Sequence, residues 1–434
     1  MKILIIGSGG REHALCRAFK RSARVSEIFC ADGNAGIAQI AQCVGINPHE
    51  INTLADFAAA NEIDLTFVGG EISLALGIVD EFEKRNLKII GVSRNAARLE
   101  ASKSFAKDFM VRRDIPTAEY QTADSPQAAV EILRSGKFGD ENSPVVVKAD
   151  GLAAGKGVVV AVNRRQAELA VKNLESLVGK EAGEKIVLEE YLFGREISLL
   201  MFADGENFAL MPPVRDHKRI HENDDGANTG GMGTVTGANL LSEAETAKII
   251  EEIIKPTLEG CRAEGFPLRG ILFLGLMLTK TGVKVLEYNV RFGDPETQAI
   301  LVRLETDLVE ICEAMLNQTL DEVNIKWKKG SSACVVLAAE NYPNKPEIGD
   351  IVTGLNANFG DVEIFHAGTA KDADGNFITA GGRVLGVTAG GEDLDEALEK
   401  AYRAVSKISW KGLQFRRDIG KTNQPTTKSG NLSD

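Results

Sequence analysis

The side chains best suited to catalysis lie on one predicted strand. Glu287, Asn289 and Arg291 occupy alternate positions there, and alternate residues of a strand face the same side. A carboxylate and an amide oxygen at this spacing are hard ligands for Mg²⁺, whose other positions go to water and phosphate. An arginine beside them suits an anionic substrate or a transferring phosphoryl group. The alternative is a buried structural pair between Glu287 and Arg291.

A lysine followed by a glycine-rich loop comes earlier in the chain. Lys148 ends a valine-rich run, and the small residues of 150–157, with Lys156 among them, lead into a second valine-rich run. Lysine provides a point charge for phosphate, and glycines allow such a loop to close over it. The spacing differs from the GxxxxGKS/T of a Walker A loop. A flexible hairpin without a ligand is the alternative.

A cluster of acids follows the next apolar run. The run ends in Glu189 and Glu190, and Glu196 comes after a tight turn. Backbone groups at such a strand end would hold adenine, and Glu196 would hold a ribose. Solvated acids on a surface strand end are the alternative.

A long polar segment carries mixed charge and then a glycine run. Asp216 and Lys218 lie in its first part, and the glycines lie within 228–233. Charged groups on a long loop suit a substrate clamp. A disordered surface loop is the alternative.

Glycines also separate the first strand from the first helix. The amides of Gly9 and Gly10 are expected to approach an anion at the helix N-terminus. A dinucleotide fingerprint would have a third glycine where Glu12 stands. The motif therefore favours a phosphate or nucleotide-like ligand without specifying NAD, and a tight turn without a ligand is the alternative. His13 is interpreted as a packing or capping residue.

Short apolar runs alternate with helical periodicity at the N-terminus and predict a doubly wound parallel sheet. The predicted strands are 2–6, 27–31, 65–68 and 88–91, and the predicted helices are 11–21, 53–61 and 74–86. From residue 102 the pattern changes, and valine-rich strands around the glycine loop predict an antiparallel lid. Further elements are predicted as helices 102–113, 164–178, 242–264 and 394–406 and as strands 144–148, 158–162, 185–190, 196–202, 270–278, 283–290, 333–337 and 382–387. Residues 212–237 lack periodicity and are predicted to form a functional loop.

Composition limits the class of protein. A chain of 434 residues is expected to form roughly two to four domains. The net charge of −12 argues against nucleic acid or an anionic membrane as a partner. The six cysteines show no CxxC spacing, so free thiols in a reducing compartment are predicted. The first apolar run is too short for a signal-peptide core or a membrane span, and a cytoplasmic protein is expected.

The motifs in order resemble the phosphoribosylamine–glycine ligase (glycinamide ribonucleotide synthetase) family of the ATP-grasp superfamily. The segments that carry the resemblance are GSGGREHAL, ADGNAG, SKSFAKDFM, VVVKADGLAAGKGV, DHKR, NTGGMG and EYNVRFGDPETQ. The resemblance implies an α/β and α+β multidomain chain with an N-terminal doubly wound parallel sheet, a central ATP-grasp domain and a small C-terminal α+β domain. The implied bounds are 1–101, 102–327 with a mobile lid at about 121–191, 328–424, and a mobile tail at 425–434.

The resemblance also implies an activity. A monomeric enzyme with Mg²⁺ or Mn²⁺ would join glycine to 5-phosphoribosylamine with ATP, through glycyl phosphate, in purine biosynthesis. The ATP-binding residues would be Lys107, Lys148, Lys156, Glu189, Glu190, Leu192 and Glu196. The metal ligands would be Glu287 and Asn289. The substrate-binding residues would be Gly9, Gly10, Glu71, Asp216, Lys218, Arg291, Gly293 and Asp294, with Arg291, Asp216 and Lys148 as the catalytic residues.

Three positions depart from the family pattern, and three other functions stay open. Gly70 and Ala227 stand where the family usually has proline, and Arg215 stands where it usually has glutamine. The third departure adds a charge beside Asp216. The competing functions are a ligase that uses formate or bicarbonate, a dinucleotide-dependent oxidoreductase and a non-catalytic nucleotide sensor. Glu12 argues against the oxidoreductase, and a metal-and-arginine clamp is unnecessary for a sensor.

Overall fold

The computed structural model describes residues 1–153, 157–179 and 183–421. Within these residues the strands form three main sheets and two short two-stranded ribbons. Lys156 and the tail proposed at 425–434 lie outside the described residues, as does the middle of the glycine loop.

The N-terminal sheet is parallel and has five strands. They are β1 (Lys2–Gly7), β2 (Glu27–Asp32), β3 (Gln42–Val44), β4 (Leu65–Val68) and β5 (Ile89–Ile90). The order β3-β2-β1-β4-β5 confirms the doubly wound prediction. Helices cover both faces, so the apolar run of β1 is fully buried. These helices are α1 (Gly10–Lys20), α2 (Ile51–Ala60), α3 (Glu71–Leu76), α4 (Ile78–Lys84) and α5 (Arg94–Ala101).

The helix predicted over 74–86 is wrong in its extent. Two helices, α3 and α4, occupy this stretch, and they meet at Gly77 with φ 88°. Glycine adopts this left-handed conformation without steric cost, and it ends a helix there. The shorter helix α3 begins at Glu71 and ends before Gly77, and its first turn faces the site described below.

The central sheet is antiparallel. Its strands are β10 (Arg195–Asp204), β11 (Phe208–Leu210), β12 (Val214–Asp216), β15 (Gly233–Thr236), β16 (Arg269–Thr279), β17 (Gly282–Asn289), β18 (Ser331–Ala338), β19 (Glu363–His366) and β22 (Arg383–Gly391). Their order is β17-β16-β10-β12-β15-β18-β22-β19, with β11 on β10. Alternate residues of β10 enter two different cores: Leu199 and Met201 pack with the N-terminal helices, whereas Leu200 and Phe202 pack on the other face. The sheet therefore joins the N-terminal and central parts through shared cores.

The loop predicted over 212–237 is wrong, because this stretch contains four short strands. Besides β12 and β15 they are β13 (Arg219–His221) and β14 (Asp225–Asn228), which form a ribbon. Each strand has three or four residues, too few to give a periodic pattern. β12 pairs with the nearby β10 and with β15, and β15 pairs with β18, which is distant in sequence.

A separate four-stranded antiparallel sheet forms around the glycine loop, as the valine-rich runs predict. Its strands are β6 (Tyr120–Ala123), β7 (Val145–Ala149), β8 (Val158–Ala161) and β9 (Ile186–Glu190), in the order β6-β9-β7-β8. The helices α7 (Pro126–Arg134) and α8 (Arg164–Val178) pack on it and complete a core of its own. β7 delivers Lys148 near its end. The helix α6 (Lys103–Arg112) precedes this unit.

The C-terminal part extends the central sheet. β15 pairs with β18, so the sheet continues into the last third of the chain. The remaining helices are α9 (Glu243–Ile249), α10 (Lys255–Ala263), α11 (Glu296–Leu301), α12 (Leu308–Asn317) and α13 (Leu394–Val405). A π-helical segment, Ile250–Ile254, which we name the π-turn, joins α9 to α10 without a break, so the helix predicted over 242–264 is confirmed as one continuous helical stretch. The second ribbon is β20 (Thr369–Lys371) with β21 (Phe377–Thr379).

Short 3₁₀ turns complete the described elements. They are Ile37–Gln39, Glu222–Asp224, Ala238–Leu240 and Leu320–Glu322. None of the helices in the described ranges has both the length and the apolar character needed to cross a membrane.

Candidate active site

A bulge in β17 decides which way the predicted metal ligands face. Val283 and Val285 are buried in the first half of the strand. The register with β16 then shifts, and Glu287 lies opposite Gly275. In a regular strand Glu287 would share the buried face of Val283 and Val285, because side chains alternate. The extra residue, Leu286, turns Glu287 to the other face.

Beyond the bulge, the predicted side chains lie together. Arg291 Nη2 donates to Asn289 Oδ1 at 3.2 Å. A Cβ at Gly275 would lie 3.0 Å from Glu287 Cγ, so the glycine opposite gives the carboxylate its space. One carboxylate, one amide and one guanidinium therefore occupy the same face at the end of β17.

Glu287 is held in its ionised form. Burial acts to raise its pKa, but the positive charges of Lys218, Lys148 and Lys103 outweigh burial and bring the pKa below its ordinary value. An ionised carboxylate beside the Asn289 amide oxygen fits Mg²⁺. Among the described residues no group of three or more His, Cys, Asp or Glu side chains is arranged to hold a metal. We expect a cation here to take Glu287 and Asn289 as protein ligands, with phosphate and water at its other positions.

Two buried lysines share one buried carboxylate. Glu189 Oε2 lies 2.9 Å from Lys107 Nζ, and Glu189 Oε1 lies 2.8 Å from Lys148 Nζ. Lys148 also donates to the carbonyl oxygen of Leu286, in the bulge, at 3.1 Å. Burial lowers the pKa of Lys107 to about 8, against the attraction of Glu189. Two cations on one carboxylate leave positive charge next to the bulge, which suits phosphate.

The other residues of the predicted nucleotide site lie where β9 passes into β10. Glu190 Oε1 lies 2.7 Å from Lys284 Nζ on β17. Leu192 is buried in the connection. Glu196 forms an ion pair with Lys218 of the predicted substrate clamp. The clamp is thus tied to the nucleotide side of the site.

Arg291 lies between two carboxylates of the N-terminal part. Its Nη2 is 2.8 Å from Glu100 Oε1, and its Nε is 3.5 Å from Glu71 Oε2. These are its ion pairs within the described part of the chain, so the alternative structural pair with Glu287 is not formed. Burial raises the pKa of Glu100 despite Arg291. Burial acts to raise the pKa of Glu71 as well, but Arg291 and Arg11 together with hydrogen bonds outweigh burial, and this pKa is lowered.

The pKa of both clamp residues is raised, which disfavours the ionised form of Asp216 and favours the ionised form of Lys218. Burial acts to lower the pKa of Lys218, but Glu196 and Glu287 outweigh it and raise the pKa. Burial, together with the charge of Glu296, raises the pKa of Asp216 well above its ordinary value. When the pKa of a carboxyl group is raised in this way, a cation that binds beside it stabilises its ionised form. Asp216 is therefore suited to an ammonium group.

The start of α1 binds carboxylates of the protein itself, which differs from the expected free anion site. The amide of Gly9 donates to Glu12 Oε2 at 2.6 Å. The amide of Arg11 donates to Asp294 Oδ2 at 3.3 Å. Gly10 lies between them. The carboxylate of Glu12 also places negative charge where a dinucleotide pyrophosphate would approach, which agrees with the argument against an oxidoreductase.

Gly293 and Asp294 differ in what they contribute. A Cβ at Gly293 would overlap the carboxylate of Glu296, so glycine is required for packing. Asp294 Oδ1 accepts from Gln298 at 2.9 Å and lies 3.7 Å from Arg383 Nη1. Burial acts to raise the pKa of Asp294, but Arg383 and Arg11 together with hydrogen bonds outweigh burial, and the pKa is lowered. Asp294 therefore links the C-terminal part to the start of α1 as an ionised carboxylate.

Lys103 and Asp150 were missed by the sequence analysis. Lys103 Nζ donates to the carbonyl of Gly151 at 3.3 Å, and burial lowers the pKa of Lys103 against the attraction of Glu287. Asp150 accepts from the amide and the hydroxyl of Ser104 at 2.6 and 2.8 Å. Both contacts fix the base of the glycine loop to the start of α6. A lysine at the second position of the helix predicted over 102–113 was the available signal.

We expect Lys103→Met to raise the KM for ATP by roughly ten- to a hundredfold, the range of a lost charged hydrogen bond. Lys103 holds Gly151 and contributes positive charge beside Glu287. Steady-state kinetics with varied ATP measures the effect. Lys172→Met, on the exposed side of α8, is the matched control. An unchanged KM for ATP in Lys103→Met would contradict a role in nucleotide binding.

Comparison with known proteins places this arrangement in a family. The Phosphoribosylglycinamide synthetase models match in order: the N domain over residues 1–100, the ATP-grasp (A) domain over 101–297 and the C domain over 332–422. The phosphoribosylamine–glycine ligase of Caldanaerobacter subterraneus subsp. tengcongensis is 44% identical over 420 residues, which cover 96% of this chain and 99% of the relative.

Solved structures share the same architecture. The crystal structure of phosphoribosylamine–glycine ligase from Thermotoga maritima matches with a TM-score of 0.83 and 34% identity, covering 96% of this chain and all of the other (100%). The biotin carboxylase domain of Hydrogenobacter thermophilus 2-oxoglutarate carboxylase, solved with MgADP, matches with a TM-score of 0.73 over 95% and 91% of the two chains. At 16% identity this second likeness concerns the fold alone.

The class follows from the fold and the likeness together: the chain is an ATP-grasp ligase. Within that class it belongs to the phosphoribosylamine–glycine ligase family, since relatives of that name match it over nearly their whole length. Purine biosynthesis is the pathway of the family. The oxidoreductase and sensor alternatives are thereby set aside.

Proposed function

We propose that the protein joins glycine to 5-phosphoribosylamine with ATP and Mg²⁺ or Mn²⁺, giving glycinamide ribonucleotide, ADP and phosphate. The observation that carries the proposal is the face formed beyond the bulge of β17. There the ionised Glu287 and Asn289 lie beside Arg291, close to the lysine charges on Glu189. Such a face neutralises phosphate charge on one side and binds a carboxylate on the other.

The reaction is proposed to pass through glycyl phosphate. A carboxylate oxygen of glycine attacks the γ-phosphorus, the bond to the β-phosphate oxygen breaks, and ADP leaves. The amine nitrogen of phosphoribosylamine then attacks the acyl carbon, the carbon–oxygen bond to phosphate breaks, and the amine loses a proton. No side chain needs to form a covalent bond, because positioning and charge stabilisation are sufficient.

Each side chain contributes one physical task. Lys148 and Lys107, held by Glu189, would neutralise charge on the phosphates of ATP. Glu287 and Asn289 would hold the metal, which supplies Lewis-acid stabilisation of the transferring phosphoryl group.

The substrate groups are assigned to the neighbouring charges. Asp216, whose pKa burial raises, would bind the ammonium group of glycine. Arg291 would bind the glycine carboxylate and the acyl phosphate, and Glu71 and Glu100 would fix its orientation. Gly10 and Glu71 would contact phosphoribosylamine, whose phosphate must then find donors other than the occupied amides of α1.

The proposal extends to the setting of the reaction. We propose a monomer that works in the cytoplasm on small metabolites, without nucleic acid or membrane. The free state of all six cysteines supports a reducing compartment. The net charge of −12 is unsuited to a polyanionic partner.

Release of ADP tests the proposal. We expect ADP only when ATP, Mg²⁺, glycine and phosphoribosylamine generated in the assay are all present, with glycinamide ribonucleotide formed in equal amount. Formate and bicarbonate serve as alternative carboxylates. ADP release that depends on either of them, and not on glycine, would contradict the proposed substrate and favour the other class of ligase.

A further inference from the structure

The end of the described chain lies along the segment that carries Asp216 and Lys218. Residues 416–421, which we name the strap, follow the last turns of the C-terminal part. The segment they contact, residues 215–224, is named the clamp segment. The two are almost 200 residues apart in sequence, as the separation of 192 between Arg416 and Asp224 illustrates.

Alternate residues of the clamp segment face the strap. Arg215 Nη2 donates to the carbonyl of Gly420. The amide of Gly420 donates to His217 Nε2 at 3.1 Å, and His217 Nδ1 is 3.0 Å from the carbonyl of Gly233. Asp216 and Lys218, at the intervening positions, interact with the active-site charges. The charge added at position 215 therefore points to the strap and not to the substrate side.

Arg416 is the centre of the strap. Its side chain is 1% exposed, and it binds Asp418 through two hydrogen bonds of 2.8 Å. Its Nη1 donates to Asp224 Oδ1 at 2.7 Å and to the carbonyl of Arg219 at 3.1 Å. Asp418 Oδ2 also accepts from the amide of Asn223 at 2.8 Å. A planar guanidinium can make all these bonds at once, whereas an ammonium cannot.

The strap is fixed in turn to the C-terminal helix. Tyr402 on α13 donates its hydroxyl hydrogen to the carbonyl of Arg416 at 2.8 Å and accepts from the amide of Ile419 at 3.2 Å. Ile419 is buried against Val235 of β15. The strap thus connects the C-terminal part to the clamp segment through hydrogen bonds and apolar contact.

We propose that the strap positions Asp216 and Lys218 for the amino-acid substrate, and that Arg416 is a positioning residue that acts through Asp224 and the carbonyl of Arg219. Arg416 itself does not touch the site. The part of this inference that concerns the amino acid rests on the proposed function. The part that concerns the ordering of the clamp segment rests on the contacts alone.

The test uses Arg416→Met in the full chain with three measurements. Hydrogen exchange of residues 214–228 is expected to rise about tenfold or more, because local opening becomes easier without the strap bonds. The KM for glycine is expected to rise roughly tenfold. The dissociation constant of ADP is expected to rise by a clearly smaller factor than the KM for glycine, because Lys107, Lys148 and Glu189 lie outside the contacts of the strap and the nucleotide side meets the clamp segment through the Glu196–Lys218 pair.

Two variants keep the test decisive. Arg403→Met is the matched control, since the Arg403 side chain on α13 is 65% exposed and pairs with Glu399 of the same helix, away from the clamp segment. The second variant, Asp224→Asn, weakens the bond to Arg416 and changes a side chain that is 54% exposed. The backbone at Asp224 has a φ of 55°, which asparagine also adopts. If Arg416→Met fails to fold, Asp224→Asn is expected to raise the exchange of residues 214–228 and the KM for glycine by smaller factors.

The outcomes separate the strap from the proposed function. Unchanged exchange at 214–228 overturns the proposal, as does an equal loss of ADP and glycine binding, which would indicate general loosening. If ADP release by the wild-type enzyme does not depend on glycine, the proposed function is wrong instead. In that case the exchange and ADP measurements still decide whether the strap orders the clamp segment, because neither needs glycine.

Discussion

Glu287→Ala is expected to lower kcat about a thousandfold or more at saturating Mg²⁺, since a metal ligand contributes several kcal/mol to phosphoryl-transfer catalysis. The side chain lies beyond the bulge of β17, is ionised by neighbouring lysines and packs against Gly275. Its removal takes away the only carboxylate that the proposal gives to the metal. ADP release under saturating substrates is the measurement.

The fold should survive this change. Glu287 lies at the end of an edge strand, so its loss opens no cavity in the apolar core, but it leaves the charges of Lys218, Lys148 and Lys103 less well balanced. Circular dichroism should therefore stay close to wild type, while the melting temperature should fall slightly. Glu251→Ala, at a side chain that is 63% exposed on the π-turn, is the matched control and should retain full turnover. Turnover of Glu287→Ala near the wild-type value would exclude the metal role.

Arg291→Lys is expected to lower kcat/KM for glycine by about a hundred- to a thousandfold. The guanidinium contacts Glu100, Glu71 and Asn289 at once. A lysine keeps the charge but lacks the planar fork that binds a carboxylate in two places. The defect should therefore appear with glycine varied, while the KM for ATP changes little.

The comparison variant for this prediction is Arg262→Lys. Arg262 lies on α10, where it pairs with the exposed Glu206. The same chemical change there should leave the kinetics as they are. A fall in ATP binding that matches the fall in glycine binding would argue that Arg291 supports the whole site and does not select the carboxylate substrate.

Local patterns were sufficient for most of the fold. Apolar runs alternating with helical periodicity predicted the parallel sheet, because both signals arise within a few residues. The valine-rich runs on either side of the glycine loop predicted the antiparallel unit around it for the same reason. The alternation of Glu287, Asn289 and Arg291 predicted a shared face at the end of one strand, and the structure brings Asn289 and Arg291 into contact there. Lysine and glycine spacing located Lys148.

Local patterns failed where a partner far along the chain decides the structure. Residues 212–237 gave no periodic signal, because their four strands have only three or four residues each. One of them, β15, is held in the sheet by β18, which lies much further along the chain. The helix predicted over 74–86 ran through Gly77, where the backbone takes a left-handed conformation. Lys103 and Asp150 were overlooked, because their contacts, with Gly151 and Ser104 respectively, form only when the start of α6 meets the base of the glycine loop.

The sequence by itself determined which residue types are available, that the first domain is a doubly wound sheet, and that the motifs resemble one ligase family. The tertiary structure decided which side of β17 Glu287 faces. Val283 and Val285 lie on the buried face, and the bulge at Leu286 moves Glu287 to the opposite face. The tertiary structure also decided that Arg291 pairs with Glu71 and Glu100. The physical reason is that periodicity reports neighbours along the chain, whereas charge pairing and strand register depend on groups brought together only by folding.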